Sequence, residues 1–199
     1  VGFQLLNPDG TRQASCGPFP TLTRSILGLF RPRAVRKCQH PADHRRQVVD
    51  WATGGCLLIR RKCFEQLNGL DESFFLYYED VDFCRRAGEL GWQVCYEPTV
   101  MVTHHWPLHR RKVPAPLRLI TRHALLTYAR KHWSSFQQFL LCQLIGVEAR
   151  VRECLAKMRG DRASATIYRD LYTLAGSRTQ AEWNHAQSVI EFTAEAMRS

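Results

Sequence analysis

The chain has 199 residues, with 45% hydrophobic and 23% charged side chains. That composition sustains a globular core and argues against disorder as the default state. A formal net charge of +10 and a pI near 9.5 favour anionic partners, namely nucleic acid, phosphate-bearing ligands or an acidic membrane face, without choosing among them. None of the eight cysteines forms a CxxC pair, which excludes zinc-ribbon and thioredoxin motifs. Most sit among apolar neighbours and read as small core residues of a reducing compartment, with a disulfide-bonded secreted protein as the alternative. The longest apolar stretch, near Phe136 to Val147, is short of the ~20 residues a bilayer span needs. Val1 opens directly on strand-like chain with no charged and apolar leader, so a fragment that begins inside a domain is expected.

VGFQLL reads as a strand, and Asn7-Pro8-Asp9-Gly10 as the turn that ends it. Cys16 to Pro20 reads as irregular chain. A short apolar piece, Ile26 to Phe30, precedes a basic and His-rich stretch over residues 31–47 that keeps no apolar period and is expected to be a solvated loop. Val48 to Arg60 predicts two strand pieces broken by Gly54-Gly55, a place where a strand bulges or approaches a ligand closely. Arg61 to Leu67 predicts a short helix ended at Gly69.

Glu79 to Leu90 predicts a helix stopped by Gly91, with Val81, Cys84, Ala87 and Leu90 on one face. Glu79, Asp80 and Asp82 crowd its first turn, where the helix dipole favours negative charge, and Asp82 can pair with Arg86 at i, i+4. A carboxylate placed there can take a proton from a hydroxyl, although acids in a first turn also serve stability alone. Trp92 to Tyr96 and Thr99 to Thr103 predict two strands split by Pro98. The second runs into His104-His105-Trp106. Imidazole is a common metal ligand, but adjacent strand residues point to opposite faces, so one of the two at most would bind a given ion.

From Pro116 the pattern is helical, with Leu117, Ile120, Ala124, Thr127 and Tyr128 on one face and Arg118, Arg122, Arg130 and Lys131 as a basic remainder. Ser134 and Ser135 each stand three residues before a glutamine, the spacing of a capping box. Thr179 to Glu182 repeats that signal ahead of a final helix carrying Trp183, Ala186, Ile190 and Met197.

The order of these pieces says more than any one of them. A Gly-Gly strand in VVDWATGGCLLIRR, then GLDE, FFLYYEDVDFCRR and a strand ending in His-His closely resembles the C-terminal half of bacterial glycosyltransferase family 2 enzymes, in particular the rhamnosyltransferase-like branch. The resemblance covers about residues 1–135. It implies an α/β chain: part of a GT-A, Rossmann-like fold over residues 1–112, the acceptor-side half, followed by a helical extension over 113–199. It implies sugar transfer with inversion from a nucleotide-sugar to a hydroxyl of a polysaccharide or lipid-linked acceptor, in cell-surface polysaccharide or glycolipid synthesis.

Under that resemblance Asp80 is the base and Glu79 contacts the acceptor. Gly54 and Gly55 form the loop where donor and acceptor meet, and Trp51, Tyr78 and Trp106 are candidate substrate-site walls. One of His104 and His105, preferably His104, would help hold a divalent metal (Mg or Mn). The metal depends on a DxD motif in a nucleotide-binding half that should precede Val1, so the chain alone is expected to transfer little. A cytoplasmic place is implied, peripheral on the inner membrane face, with an anionic membrane surface as a further partner. The competing readings are a non-catalytic basic module for membrane surface or nucleic acid, and an inactive paralogue. Nucleic acid is disfavoured, because no zinc finger, groove-reading helix or aromatic interleaving accompanies the basic segments.

Overall fold

A computed structural model describes residues 1–29, 45–105 and 114–177, with Trp183, Ser188 and Ile190. Most of the basic stretch, Trp106, and the capping box at Thr179 therefore lie outside the described residues. The chain divides into two compact units: Val1–Glu72 with Tyr78–Lys112, and Ser73–Tyr77 with Val113–Ser199. The run FFLYYEDVDFCRR is thus shared, its aromatic start grouped with the second unit and its acidic helix with the first.

The first unit is α/β. Strand β1 (Gly2–Leu6) turns at Asn7 to Gly10, where the Gly10 amide donates to the Asn7 carbonyl at 2.9 Å, and returns as β2 (Arg12–Gln13). The chain of Cys16 to Pro20, expected to be irregular, opens as β3 (Cys16–Gly17). It pairs antiparallel with β5 (Trp51–Ala52) in a separate two-stranded sheet. Two-residue strands carry no period, so sequence alone does not reveal them. Helix α1 (Leu22–Leu29) occupies the apolar piece before the basic stretch. The larger sheet has the order β2-β1-β6-β4, with β4 at Gln47–Val48 and β6 at Cys95–Thr103.

Strand β6 runs through Pro98, contrary to the expected split. It is parallel to β1 with Gly2 opposite Tyr96 and Phe3 opposite Glu97, then Gln4 opposite Met101 and Leu6 opposite Thr103. The register shift leaves Pro98 to Val100 outside the ladder. A proline, which has no N–H to donate, is tolerated at such a bulge. The second expected piece after Gly54-Gly55 is likewise absent as a strand; only Leu57 makes an isolated bridge to Gly2.

Helices α2 (Arg61–Gln66) and α3 (Glu79–Glu89) complete the unit. Val81, Phe83, Cys84 and Ala87 are buried on α3, while Leu90, expected on the same face, stays exposed. The i, i+4 pair forms. Asp82 has no exposed surface, and Arg86 Nε reaches its Oδ2 at 2.7 Å. The same guanidinium donates to the Leu67 and Gly69 carbonyls at 2.9 and 3.2 Å, which ties α3 to the C-terminal end of α2. Asp82 is therefore a structural anchor. The seven described cysteines are all free, with Cys16, Cys63 and Cys84 buried. Burial pushes the Cys84 thiol up to about 11.

The second unit holds α4 (Ala115–His132), α5 (Ser135–Met158) and α6 (Arg162–Gly176). Of the two candidate capping boxes at the α5 start the chain uses Ser134, with both reciprocal bonds to Gln137 present. Asp161 caps α6 through the Ser164 amide at 3.0 Å. The expected α4 face is buried, but so are Leu119, His123, Leu125, Leu126 and Ala129. The helix is enclosed on nearly every side. Its Arg118 and Arg122 are not a free basic face: both reach Glu148 of α5, at 3.3 and 2.7 Å, and Arg152 joins them at 2.9 Å.

His123 is almost wholly buried, stacks on Trp183 with ring centroids 4.8 Å apart, and its Nε2 has no hydrogen-bond partner among the described residues. Burial, reinforced by nearby Arg130, lowers its pKa to about 4. An unfolded chain binds that proton near pH 6.5 while the folded chain does not, so stability falls as pH drops from about 6.5 towards 4 and is flat above. The expected loss is on the order of 3 kcal/mol. Urea midpoints across that range should show it, and His123→Phe should remove that part of the pH dependence.

Candidate functional site

Three segments of the first unit converge where β1 and β6 end. The His104 amide continues the ladder past β6 by donating to the Leu6 carbonyl at 2.8 Å. The Gly54-Gly55 turn follows β5, and α3 begins at Glu79. The carboxyl ends of parallel strands are where open α/β sheets place their ligands.

Asp80 is buried at the head of α3, and both its oxygens are held. Oδ2 accepts from the Gly54 amide at 2.9 Å and Oδ1 from the Val81 amide at 2.8 Å. These bonds fix the plane of the carboxylate. Gly54 and Gly55 are themselves exposed, so the buried carboxylate is bonded to a turn that faces solvent. A β-carbon at Gly55 would stand 3.0 Å from Leu5 Cδ1 and 3.9 Å from His104 Cε1. Leu5 is fully buried and has little room to give. At Gly54 the nearest atom would be Asp80 Cβ at 3.6 Å, an ordinary contact. The close approach thus concerns Gly55, while Gly54 contributes its amide.

The turn consequently sits between the two expected chemical groups, with Asp80 against Gly54 and His104 against Gly55. His104 is half-buried and its Nδ1 lies 3.0 Å from Gln13 Nε2 and 3.2 Å from Gln13 Oε1. Gln13 is buried, and its carbonyl accepts from Gln4 Nε2 at 3.0 Å. Gln4 Oε1 in turn accepts from Tyr96 at 2.6 Å. This polar network behind His104 was not anticipated. Its one sequence signal is that Gln4 interrupts the apolar strand β1.

The other expected residues separate. Tyr78 is half-buried and forms the N-cap of α3 in the left-handed region, φ 69°, next to Tyr77 at φ 71°. Non-glycine residues rarely adopt that conformation, and the pair turns the chain sharply just before Glu79 and Asp80. Glu79 is half-buried in the first helical turn. Trp51 is placed in the core: it has no exposed surface, and its indole N–H donates to the Pro18 carbonyl at 3.0 Å. A side chain so enclosed offers no wall to a bound sugar. Trp106 lies outside the described residues.

His105 is exposed beside half-buried His104. Among the described residues no group of three or more His, Cys, Asp or Glu side chains could hold a metal ion. One clasped imidazole is not a divalent-cation site, so the described residues alone do not fit the expected metal.

Residues 24–125, just over half the chain, match the family described as Glycosyltransferase like family 2. The chain belongs to that family. The α/β architecture of the first unit fits a partial GT-A fold. The chain is 38% identical over 112 residues to the N-acetylglucosaminyl-diphospho-decaprenol L-rhamnosyltransferase of Mycobacterium tuberculosis, covering 53% of this chain and 36% of that protein. It is 34% identical over 113 residues to a low-salt glycan biosynthesis hexosyltransferase of Haloferax volcanii, covering 56% and 34%. It is 31% identical over 87 residues to a rhamnosyltransferase of Escherichia coli, covering 44% and 33%. The chain thus spans about a third of the length of the curated relatives it matches. No solved structure matches it significantly. No described helix is long and apolar enough to cross a membrane.

Proposed function

We propose that this family 2 chain is the acceptor-side part of a glycosyltransferase that moves a hexosyl group, of the rhamnosyl type, from a nucleotide-sugar to a hydroxyl acceptor, with inversion. The observation that carries the reading is the position of Asp80: at a helix head, oriented by the Gly54 amide, beside a turn that also abuts His104. An alcohol is a poor nucleophile until a base takes its proton as the new bond forms, and a fixed carboxylate bonded to an open turn suits that task. Asp80 is the base in this reading, and Glu79 and Tyr78 contact the acceptor.

The leaving nucleoside diphosphate gains negative charge, which cationic and hydrogen-bonding groups must offset. His104, kept in place by Gln13, faces that side. A magnesium or manganese ion belongs to this reading only as a group held by the donor diphosphate and the donor-binding part, with His104 as one further ligand at most.

Three relatives are named as rhamnosyl- or hexosyltransferases, and one of these names includes a decaprenol diphosphate. They support a polysaccharide or lipid-linked acceptor in glycan synthesis, and a cytoplasmic enzyme peripheral on the inner face of a membrane completes the proposal. Because the chain spans a third of those relatives, the donor-binding part is assigned outside it. The test is a transfer assay on a protein carrying this segment with its donor-binding part. A panel of nucleotide-sugars and a polyprenyl-diphosphate-sugar acceptor should yield a glycosylated lipid with a deoxyhexose or hexose donor. Absence of transfer from every donor, with donor binding intact, would overturn the reading.

A further inference from the structure

Helix α5 is apolar on two faces, and among the described residues only one of them is covered. Leu141, Ile145, Ala149 and Ala156 are buried within the second unit. Phe136, Phe139, Val147, Val151 and Met158 are exposed, Phe136 and Met158 at 69% and 71%. Successive members stand close to one or two whole turns apart, at spacings of three, eight, four and seven residues, which places them along one side of a helix of 24 residues, about 36 Å long. A soluble surface scatters its exposed apolar side chains, whereas a continuous stripe marks a surface that is covered in use.

Charge decides the occupant. Arg150 and Lys157 flank the stripe with more than half of their side-chain surface exposed. Residues 114–177 carry ten Lys and Arg against four Asp and Glu. The two buried carboxylates of α5 do not balance this. Glu148 takes Arg118, Arg122 and Arg152, and Glu153 takes Arg150, Lys157 and Arg169, so each cluster stays net positive. A second copy laid along the stripe would bring two such cationic surfaces together. An anionic bilayer supplies the opposite charge and an apolar boundary of the right depth for single side chains.

We propose that the exposed face of α5 lies flat in the headgroup boundary of an anionic lipid bilayer, with Phe136 and Met158 near its two ends and Arg150 and Lys157 reaching lipid phosphates. The inference deepens the peripheral placement proposed above and rests on it for biological sense only. Vesicle binding is read without a transfer assay, so either can fail alone.

The experiment is co-sedimentation of the 199-residue chain with vesicles of phosphatidylglycerol and phosphatidylethanolamine, against vesicles of phosphatidylcholine. Binding should be about tenfold or more stronger on the anionic vesicles and should weaken with salt. A triple variant, Phe136→Gln, Val147→Gln and Met158→Gln, should lose about tenfold in anionic-vesicle binding with helical circular dichroism unchanged. If that variant misfolds, the pair Val151→Gln and Met158→Gln is read in its place. Equal binding to both vesicle types, unaltered binding by the folded variant, or a lipid-free dimer that the variant dissociates would each overturn the proposal, the last in favour of a second copy.

Discussion

Replacing Asp80 by asparagine in a protein that carries this segment with its donor-binding part should lower kcat for sugar transfer by about 100- to 10,000-fold, the usual contribution of general base catalysis. The substitution is nearly isosteric. The amide oxygen of asparagine can still accept from the Gly54 amide, which sits 2.9 Å from Asp80 Oδ2 now, while the Val81 amide loses its acceptor Oδ1, so helical circular dichroism of the variant is measured alongside. What is lost is the capacity to take a proton. Donor affinity should change little, because in this reading Asp80 faces the acceptor. The measurement is steady-state transfer together with donor binding by calorimetry. A fall in kcat with donor binding preserved is expected; a loss of donor binding would place Asp80 on the wrong substrate.

The second large effect concerns stability. Glu148→Gln should destabilise the chain by about 3 kcal/mol, the lower end of the cost of removing one partner from a buried charge cluster. Burial opposes the charge on Glu148, yet Arg122, Arg152 and Arg118 together outweigh it and hold the carboxyl below its usual range. Glu148 and the two α4 arginines are each less than a fifth exposed, so the cations left behind have little water to turn to. Arg152 is about a third exposed and can relax, which keeps the cost at the lower end. A urea midpoint shift of the corresponding size tests this. Arg152→Gln, which leaves Glu148 two partners, should cost far less.

The acidic helix, its stop before Gly91 and the Gly-Gly turn were legible because local rules govern them: helix period, capping and turn chemistry. The Asp82–Arg86 pair was legible for the same reason, since i, i+4 neighbours meet wherever the helix forms. What local rules cannot show is which distant segment arrives. Pro98 reads as a strand breaker until the parallel partner β1 is known to shift register at that point. Trp51 reads as a substrate wall until its indole is found bonded to Pro18 across 33 residues of chain. The clasp of His104 by Gln13 spans 91 residues, beyond the reach of any local rule. Arg118 and Arg122 looked like a basic surface because Glu148 lies a helix away. Two acids of one helical turn, Asp80 and Asp82, separate only in three dimensions: Asp82 faces Arg86 and the end of α2, while Asp80 faces the Gly54 turn.

The central claim is that Asp80 acts as the acceptor base, and chemical rescue tests it most directly. Asp80→Ala in the transferring protein should lose about 100-fold or more of its turnover, and added formate, a small carboxylate able to enter the vacated space, should restore part of it. Turnover that stays within about twofold of the unsubstituted enzyme, or a loss that formate leaves untouched while donor binding is intact, would contradict the account.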